Sequence, residues 1–145
     1  MQLIIFTGIQ GSGKSTFYKE KFFHTHMRIN LDQLRTRHRE SRFVETCFET
    51  GIPFVVDNTN TLPQDRKRYI TQAKITGYEI IGYFFDTVLE EALGRNKQRY
   101  GRMVVPEKAI VAAYKKLIPP SYYEGFDIIY KVKITKDAVF KVCKM

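Results

Sequence analysis

Residues 2–16 of the chain read QLIIFTGIQGSGKST and join an apolar run to a glycine-rich loop. The run Gln2–Thr7 is rich in isoleucine and predicts a buried β-strand. The residues after it fit G-x-x-x-x-G-K-[ST] without a gap, and helical sequence begins near Lys14. A strand, a glycine loop and a helix N-terminus in this order turn backbone N–H groups toward phosphate oxygens. The stretch therefore predicts a binding site for a nucleoside triphosphate.

Each residue type in this loop has a part in the predicted site. Glycines adopt dihedral angles that a Cβ disfavours, so successive amides can converge on one phosphate. Lys14 is expected to reach the β- and γ-phosphates, and the Ser15 hydroxyl to ligate Mg²⁺. The alternative is a Gly-Ser turn that contains a lysine by chance, and the strand and helix around it argue against that. The predicted triphosphate-binding residues of the loop are Gly8, Gly11, Ser12, Gly13, Lys14, Ser15 and Thr16.

Outward from this loop, β-rich runs alternate with helical stretches. The alternation predicts βαβ units, a mostly parallel sheet and helices on both of its faces. The predicted strands are 2–7, 28–30, 54–57, 78–85, 127–134 and 138–143. The predicted helices are 14–23, 31–37, 40–50, 61–76, 88–100 and 106–117. The fourth helix starts on T-L-P-Q from Thr61, a capping-box pattern, and its residues 66–68 are interpreted as a solvated basic face.

Composition limits the classes of protein to which the chain can belong. Hydrophobic residues make up 43% of the 145, which argues against disorder, and no apolar run approaches the roughly 20 residues that span a bilayer. Lys and Arg outnumber Asp and Glu by 24 to 15, and the net charge of +9 favours a polyanionic partner. Cys47 and Cys143 match no metal-ligand spacing and are interpreted as free thiols. We expect one cytoplasmic domain spanning residues 1–145, with no signal peptide, no membrane association and no obligate protein partner.

Residues 27–35, MRINLDQLR, end a strand and open a helix. Asn30 suits the N-cap, Asp32 falls in the first turn, and Arg35 lies three residues on, on the same face. A carboxylate near a phosphate loop can accept the proton of an attacking hydroxyl, and an arginine beside it can hold a phosphate of the acceptor. A plain structural role fits equally well, with the acid stabilising the helix dipole and the arginine facing solvent. The spacing alone leaves both interpretations open.

Residues 54–60, FVVDNTN, place an acid at the end of an apolar strand. Asp57 there is typical of a carboxylate that acts on the magnesium of a triphosphate site, together with Ser15. The alternative is an aspartate that begins a turn, because Asp-Asn sequences are common in turns. The side-chain amides of Asn58 and Asn60 suit contacts to a phosphate or sugar of the substrate.

Residues 88–105 predict a lid that closes over the triphosphate. Arg95 and Arg99 are four residues apart, so on one helix they share a face from which they can neutralise charge in the transition state. The alternative for Arg95 is an exposed ion pair with Glu91, one helical turn away.

Four motifs in order, G-x-x-G-S-G-K-S-T, I-N-x-D-x-x-R, D-N-T-N and R-N-x-x-R, resemble the kinase domain of polynucleotide 5′-hydroxyl kinases over residues 1–119. The resemblance implies an α/β P-loop kinase fold with a mostly parallel five-stranded sheet in the order 2-3-1-4-5, helices on both faces and a helical lid. It implies ATP or another nucleoside triphosphate as donor, Mg²⁺, and a 5′-hydroxyl end of DNA or RNA as acceptor. No phosphatase motif occurs, so the resemblance implies a stand-alone kinase.

The resemblance also implies roles for single residues. Asp32 matches the general base, and Arg35 matches the contact to the first internucleotide phosphate of the acceptor. Arg99 matches the lid arginine on the donor phosphates, with Arg95 as a lesser contact. The implied catalytic set is thus Lys14, Asp32, Arg35 and Arg99.

Departures from the family pattern leave the acceptor open. Gln10 stands where the family often has proline. Leu31 and Gln33 flank Asp32 where the phage pattern has a basic and a second acidic residue. Two alternatives therefore remain: a kinase of a nucleoside, sugar or antibiotic, and a nucleotide-binding module without transfer activity.

Overall fold

The computed structural model describes the backbone of residues 1–145 and every side chain except that of Arg102. The strands are β1 (Gln2–Thr7), β2 (Met27–Ile29), β3 (Phe54–Val56), β4 (Glu79–Phe85), β5 (Ile128–Ile134) and β6 (Phe140–Lys144). The helices are α1 (Lys14–Lys21), α2 (Leu31–Leu34), α3 (Arg37–Thr50), α4 (Pro63–Thr76), α5 (Leu89–Lys97) and α6 (Glu107–Lys116). Short 3-10 turns lie at Gly101–Met103 and Tyr122–Glu124.

The strands form one sheet in the order β2-β3-β1-β4-β5-β6. The pairs β2–β3, β3–β1, β1–β4 and β4–β5 are parallel, which confirms the predicted order 2-3-1-4-5. The sheet has one strand more than the five that the resemblance implies. This sixth strand, β6, pairs antiparallel with β5 through a tight turn, so it extends the sheet without a crossover helix.

Different helices cover the two faces of the sheet. Along β1 the side chains alternate, and Leu3 and Ile5 belong to a core that includes residues of α3 and α4. Ile4 and Phe6 belong to a second core on the opposite face, where Phe17 of α1 packs against Phe6 with ring centroids 5.8 Å apart. Because both faces of β1 are buried, the predicted central strand and the predicted helices on both faces are confirmed.

Two predicted helix ends are wrong for local reasons. The helix predicted at 31–37 stops at Leu34, because Arg35 takes a positive φ of 80° that no right-handed helix contains. The helix predicted at 88–100 ends at Lys97, so Arg99 lies beyond it and shares no helical face with Arg95.

The capping box predicted at Thr61 is also wrong. Thr61 is 1% exposed, and its carbonyl accepts a hydrogen bond of 2.8 Å from the Ile118 amide. The helix begins at Pro63, and the Asp65 carboxylate accepts from the Leu62 amide at 3.2 Å. The cap therefore lies one residue later than the sequence pattern indicates.

In the residues that the structure describes, no helix is long and apolar enough to cross a bilayer. Both cysteines are free, as predicted. Cys143 is exposed, whereas burial raises the pKa of the Cys47 thiol to about 11.

Candidate active site at the carboxyl edge of the sheet

The phosphate loop leaves the carboxyl end of β1, at the centre of the sheet. Gly11 and Gly13 have φ values of 80° and 90°, a region that favours glycine. A Cβ at Gly11 would lie 2.5 Å from the Ala92 carbonyl oxygen, and one at Gly13 would lie 2.8 Å from Ile134 Cδ1. The loop is therefore held on one side by α5 and on the other by the β5–β6 hairpin. Its glycines leave space for backbone amides to face a bound phosphate.

Lys14, the first residue of α1, folds its side chain back over this loop. Its Nζ donates to the carbonyl oxygens of Gly8 at 3.0 Å and Ile9 at 2.8 Å. Burial lowers the pKa of Lys14 to about 8; Arg99 acts in the same direction, while Asp57 and Asp32 oppose it. Four of the residues singled out from the sequence thus share one electrostatic neighbourhood.

Asp57 and Ser15 form the second part of this neighbourhood. Asp57 follows the last residue of β3, its side chain is 1% exposed, and its Oδ2 accepts a hydrogen bond from Ser15 Oγ at 3.2 Å. A carboxylate and a hydroxyl are oxygen donors of the kind that Mg²⁺ binds in triphosphate sites. The chemistry of this donor pair fits the predicted metal site.

Arg28 contacts both Asp57 and Ser15, and it was not predicted from the sequence as a site residue. From β2 its Nε donates to Asp57 Oδ2 at 2.9 Å, and its Nη2 lies 2.8 Å from Asp57 Oδ2 and 2.8 Å from Ser15 Oγ. Its Cζ lies 5.9 Å from the centroid of the Tyr18 ring. No pattern in the sequence marks this contact, because it depends on the register in which β2 pairs with β3.

The helix that carries Asp32 is fastened to the end of β3 by two asparagines. Asn30 Oδ1 accepts from the Gln33 amide at 3.0 Å, and its Nδ2 donates to the Asp57 carbonyl at 2.7 Å. Asn58 Oδ1 accepts from the Leu31 amide at 2.8 Å. The first turn of α2, with the exposed side chain of Asp32, is thereby held beside Asp57.

Arg35 ends this helix with a strained backbone. Its φ of 80° and ψ of −40° are costly for a residue with a Cβ. Its side chain is exposed. Strain of this kind clusters at ligand-binding positions, so the geometry is compatible with the predicted contact to an acceptor phosphate.

The predicted substrate contacts of Asn58 and Asn60 lack support in the structure. Asn58 uses its Nδ2 to donate to Glu40 Oε2 at 2.8 Å, so both ends of its amide serve internal bonds. Asn60 is 4% exposed, with a φ of 45°, and donates to the Phe6 carbonyl at 2.8 Å. These amides hold the loop after β3 in place, and the sequence did not distinguish that role from substrate binding.

The interpretation of residues 66–68 as a solvated face is wrong for Arg66, which is 0% exposed. Its Nε and Nη2 pair with the two carboxylate oxygens of Glu124 at 2.7 and 2.8 Å. Its Nη1 donates to the carbonyls of Asn60 at 2.9 Å and Ile118 at 3.0 Å. Arg66 therefore ties the loop after β3 to the segment that follows α6.

In the predicted lid, Arg95 Nη1 donates to the Gly11 carbonyl at 2.9 Å. The ion pair of the alternative interpretation, with Glu91, is present at 3.6 Å. The contact with Gly11 places Arg95 against the phosphate loop, and its contact with the donor phosphates stays a prediction. Arg99 Nη1 donates to the Met103 carbonyl at 3.3 Å. Asn96 closes the segment by bonding both the amide and the carbonyl of Val105, at 2.9 and 2.7 Å.

Comparison with known proteins shows a match to one family model and a similarity to one viral protein. A family model described as an AAA domain (AAA_33) matches residues 38–120. The chain is also similar to a protein of Autographa californica nuclear polyhedrosis virus named "Putative bifunctional polynucleotide kinase/RNA ligase", with 26% identity over 154 residues and 86% of the chain covered. The chain spans 22% of the length of that relative.

Among solved structures, the fold is similar to a gluconokinase from Sinorhizobium meliloti 1021. The TM-score is 0.66 at 18% identity, covering 93% of this chain and 83% of that one. It is also similar to Chaetomium thermophilum Kti12 in complex with ADP-AlF3, with a TM-score of 0.68 at 13% identity, covering 94% and 92%. At these identities the likeness concerns the fold, and it confirms the predicted α/β P-loop kinase fold.

Proposed function

The chain belongs to the AAA domain family, and from that premise we propose that it transfers the γ-phosphoryl group of ATP to the 5′-hydroxyl end of a polynucleotide. The observation that carries the proposal is the fastening of α2, with Asp32 and Arg35, beside the phosphate loop and Asp57. An acid and an arginine placed there suit a hydroxyl acceptor that already carries a phosphate. The viral relative and its printed name support the same acceptor class.

The transfer balances with the residues at hand. The acceptor hydroxyl oxygen bonds to the γ-phosphorus, the bond from that phosphorus to the β–γ bridging oxygen breaks, and ADP leaves. Asp32 accepts the hydroxyl proton. Lys14, folded over the phosphate loop, and Arg99, whose charge is near enough to lower the pKa of Lys14, would offset the negative charge on the phosphoryl oxygens. Bound Mg²⁺, held by Ser15 and Asp57, would neutralise charge on the triphosphate.

The proposal assigns the acceptor through Arg35. An internucleotide phosphate near its guanidinium would receive charge-assisted hydrogen bonds, whereas a neutral sugar or nucleoside offers no anion for it. The net charge of +9 also supports a polyanionic acceptor. The gluconokinase likeness supports the competing proposal, a small-molecule kinase, since it concerns the same fold. The two free thiols support a cytoplasmic site of action.

The test uses γ-labelled ATP, Mg²⁺, and 5′-hydroxyl oligonucleotides of DNA and RNA beside gluconate and a nucleoside panel. We expect label on an oligonucleotide. Asp32→Asn should lower kcat by about 10²- to 10⁴-fold, the usual contribution of a positioned base. Arg35→Ala should lower kcat/KM for oligonucleotides by about 10- to 100-fold, the value of a hydrogen bond to a charged group.

The matched control is Arg42→Ala, since Arg42 is an exposed arginine of α3 that pairs only loosely with Glu45, at 3.7 Å. It should leave the rates unchanged. Label on gluconate or a nucleoside, with none on either oligonucleotide, would assign the small-molecule reaction instead. ATP binding without label on any acceptor, unaltered by Asp32→Asn, would leave a nucleotide-binding module.

A further inference from the structure

Arg28 occupies the same two oxygen atoms that the proposed metal needs. Its guanidinium contacts Asp57 Oδ2 through two nitrogens, at 2.9 and 2.8 Å, and Ser15 Oγ through one of them. The backbone of β2 is paired to β3 beside it, so the side chain is anchored at its base. Its side chain is 27% exposed, against 1% for Asp57. The cation therefore lies between a buried anion and solvent.

A buried carboxylate needs a positive partner, because an isolated charge in such surroundings is strongly unfavourable. In this structure Arg28 is that partner for Asp57. A divalent cation bound directly to Asp57 Oδ2 and Ser15 Oγ would have to take over from the guanidinium. Because Arg28 already contacts both oxygens, its positive charge in this position would oppose a metal ion bound to them.

We propose that Arg28 is a resident competitor for the metal, which keeps free divalent cations out and yields Ser15 and Asp57 to a cation that arrives with the triphosphate. A free hydrated cation gains two protein oxygens here and must break three contacts of Arg28. A cation carried by a triphosphate brings phosphate oxygens as further ligands, and the amides of the loop bind those phosphates at the same time. The displaced guanidinium keeps a nearby partner, the face of the Tyr18 ring.

This inference rests on one element of the proposed function, namely that Ser15 and Asp57 hold the metal ion. Measurements of metal binding in the absence of a phosphoryl acceptor therefore test it. The probe is Mn²⁺, measured by electron paramagnetic resonance and by calorimetry, with and without ADP. Wild-type protein should bind free Mn²⁺ weakly, and Arg28→Ala should bind it about tenfold or more tightly, within the usual span of coupling between two ligands. With ADP present the difference should shrink.

Three further variants keep the test decisive. Arg28→Gln keeps a polar hydrogen-bond donor on a shorter side chain without the charge, so it should match Arg28→Ala and serves if that variant folds poorly. Asp57→Asn should abolish the tight Mn²⁺ site of the Arg28 variants, and Arg42→Ala should leave Mn²⁺ binding unchanged. In melting experiments, Mg²⁺ should stabilise Arg28→Gln more than wild type.

Free Mn²⁺ affinity within twofold of wild type in both Arg28 variants, or weaker than wild type, would overturn the inference. That result would make Arg28 an ordinary structural partner of Asp57. An oligonucleotide kinase assay without product would overturn the proposed function and leave a measured Mn²⁺ difference intact. The two failures are thus distinguishable.

Discussion

Glu124→Ala removes the carboxylate that pairs with the fully buried Arg66. In the wild-type structure this guanidinium donates four hydrogen bonds, two to the carboxylate of Glu124 and two to the carbonyls of Asn60 and Ile118. Glu124 also accepts from the Ser121 amide at 2.9 Å. The substitution therefore leaves a buried cation with carbonyl partners alone, and it frees the amide that starts the 3-10 turn at Tyr122–Glu124.

The expected loss in the free energy of unfolding is about 3–5 kcal/mol, the cost of breaking a buried ion pair by removing one partner. At the entropy of unfolding usual for a chain of this size, that loss lowers Tm by about 10–15 °C. This loss of stability arises because Arg66 keeps its buried charge without a carboxylate, so a variant that removes both charges should lose less free energy of unfolding. Arg66→Met with Glu124→Leu should lie within about 2 kcal/mol of wild type if the apolar pair packs in the same volume.

Urea unfolding followed by circular dichroism measures both variants, with the slope m checked for constancy. Glu124→Gln is the matched control, since it keeps the shape and an acceptor but not the charge, and it should fall between wild type and alanine. Glu45→Ala, at an exposed ion pair of α3, should change the free energy of unfolding by less than about 1 kcal/mol. If Glu124→Ala unfolds within about 1 kcal/mol of wild type, Arg66 finds water or another acceptor, and the reasoning from its burial is refuted.

Two further changes test the site itself. Because burial lowers the pKa of Lys14 to about 8, its ammonium is charged well below that pH and loses its proton as the pH rises through it. The affinity for a non-hydrolysable ATP analogue, measured by calorimetry, should therefore fall by up to about tenfold per pH unit above pH 8, while that of Lys14→Arg stays flat from pH 7 to 9.5. A flat wild-type profile would contradict the lowered pKa as the cause. Asn58→Ala removes the hydrogen-bond partner of the Leu31 amide and of Glu40 Oε2, so the free energy of unfolding in urea should fall by about 2–4 kcal/mol. The value of kcat should fall as well, because α2 with Asp32 loses one of its attachments. Gln33→Ala, at an exposed position of α2, should change neither quantity.

The parts of the fold that the sequence predicts are those encoded by local pattern. The glycine loop between an apolar strand and a helix predicts the phosphate site, and Gly11 and Gly13 adopt the left-handed backbone that favours glycine there. The alternation of strands and helices predicts a mostly parallel sheet with helices on both faces, whereas the strand order 2-3-1-4-5 is what the family resemblance implies. The placement of Asp57 after a buried strand follows from the same logic, because parallel strands end at one edge.

Contacts between distant residues could not be predicted in this way. Arg66 looks like any basic residue of a helix face until Glu124, far along the chain, is seen to pair with it. The contact of Arg28 with Asp57 depends on the register in which the three-residue strand β2 pairs with β3, and no sequence periodicity determines that register. The asparagines after β3 carry the same amides whether they bind a substrate or the loop itself, so only their hydrogen bonds in the folded chain, and for Asn60 its burial, point to the second role.

The packing of the β5–β6 hairpin against Gly13 has a consequence for the synthesis of the chain. The ribosome makes the glycine motif well before the side chains that pack against Gly13, those of Ile134 and Phe140. A nascent chain that does not yet contain β5 and β6 has the motif but not the side chains that hold its loop in place. The ability to retain nucleotide should therefore arise only after the β5–β6 hairpin has been made, and a nucleotide bound to the ribosome-attached chain would report that the hairpin has already docked.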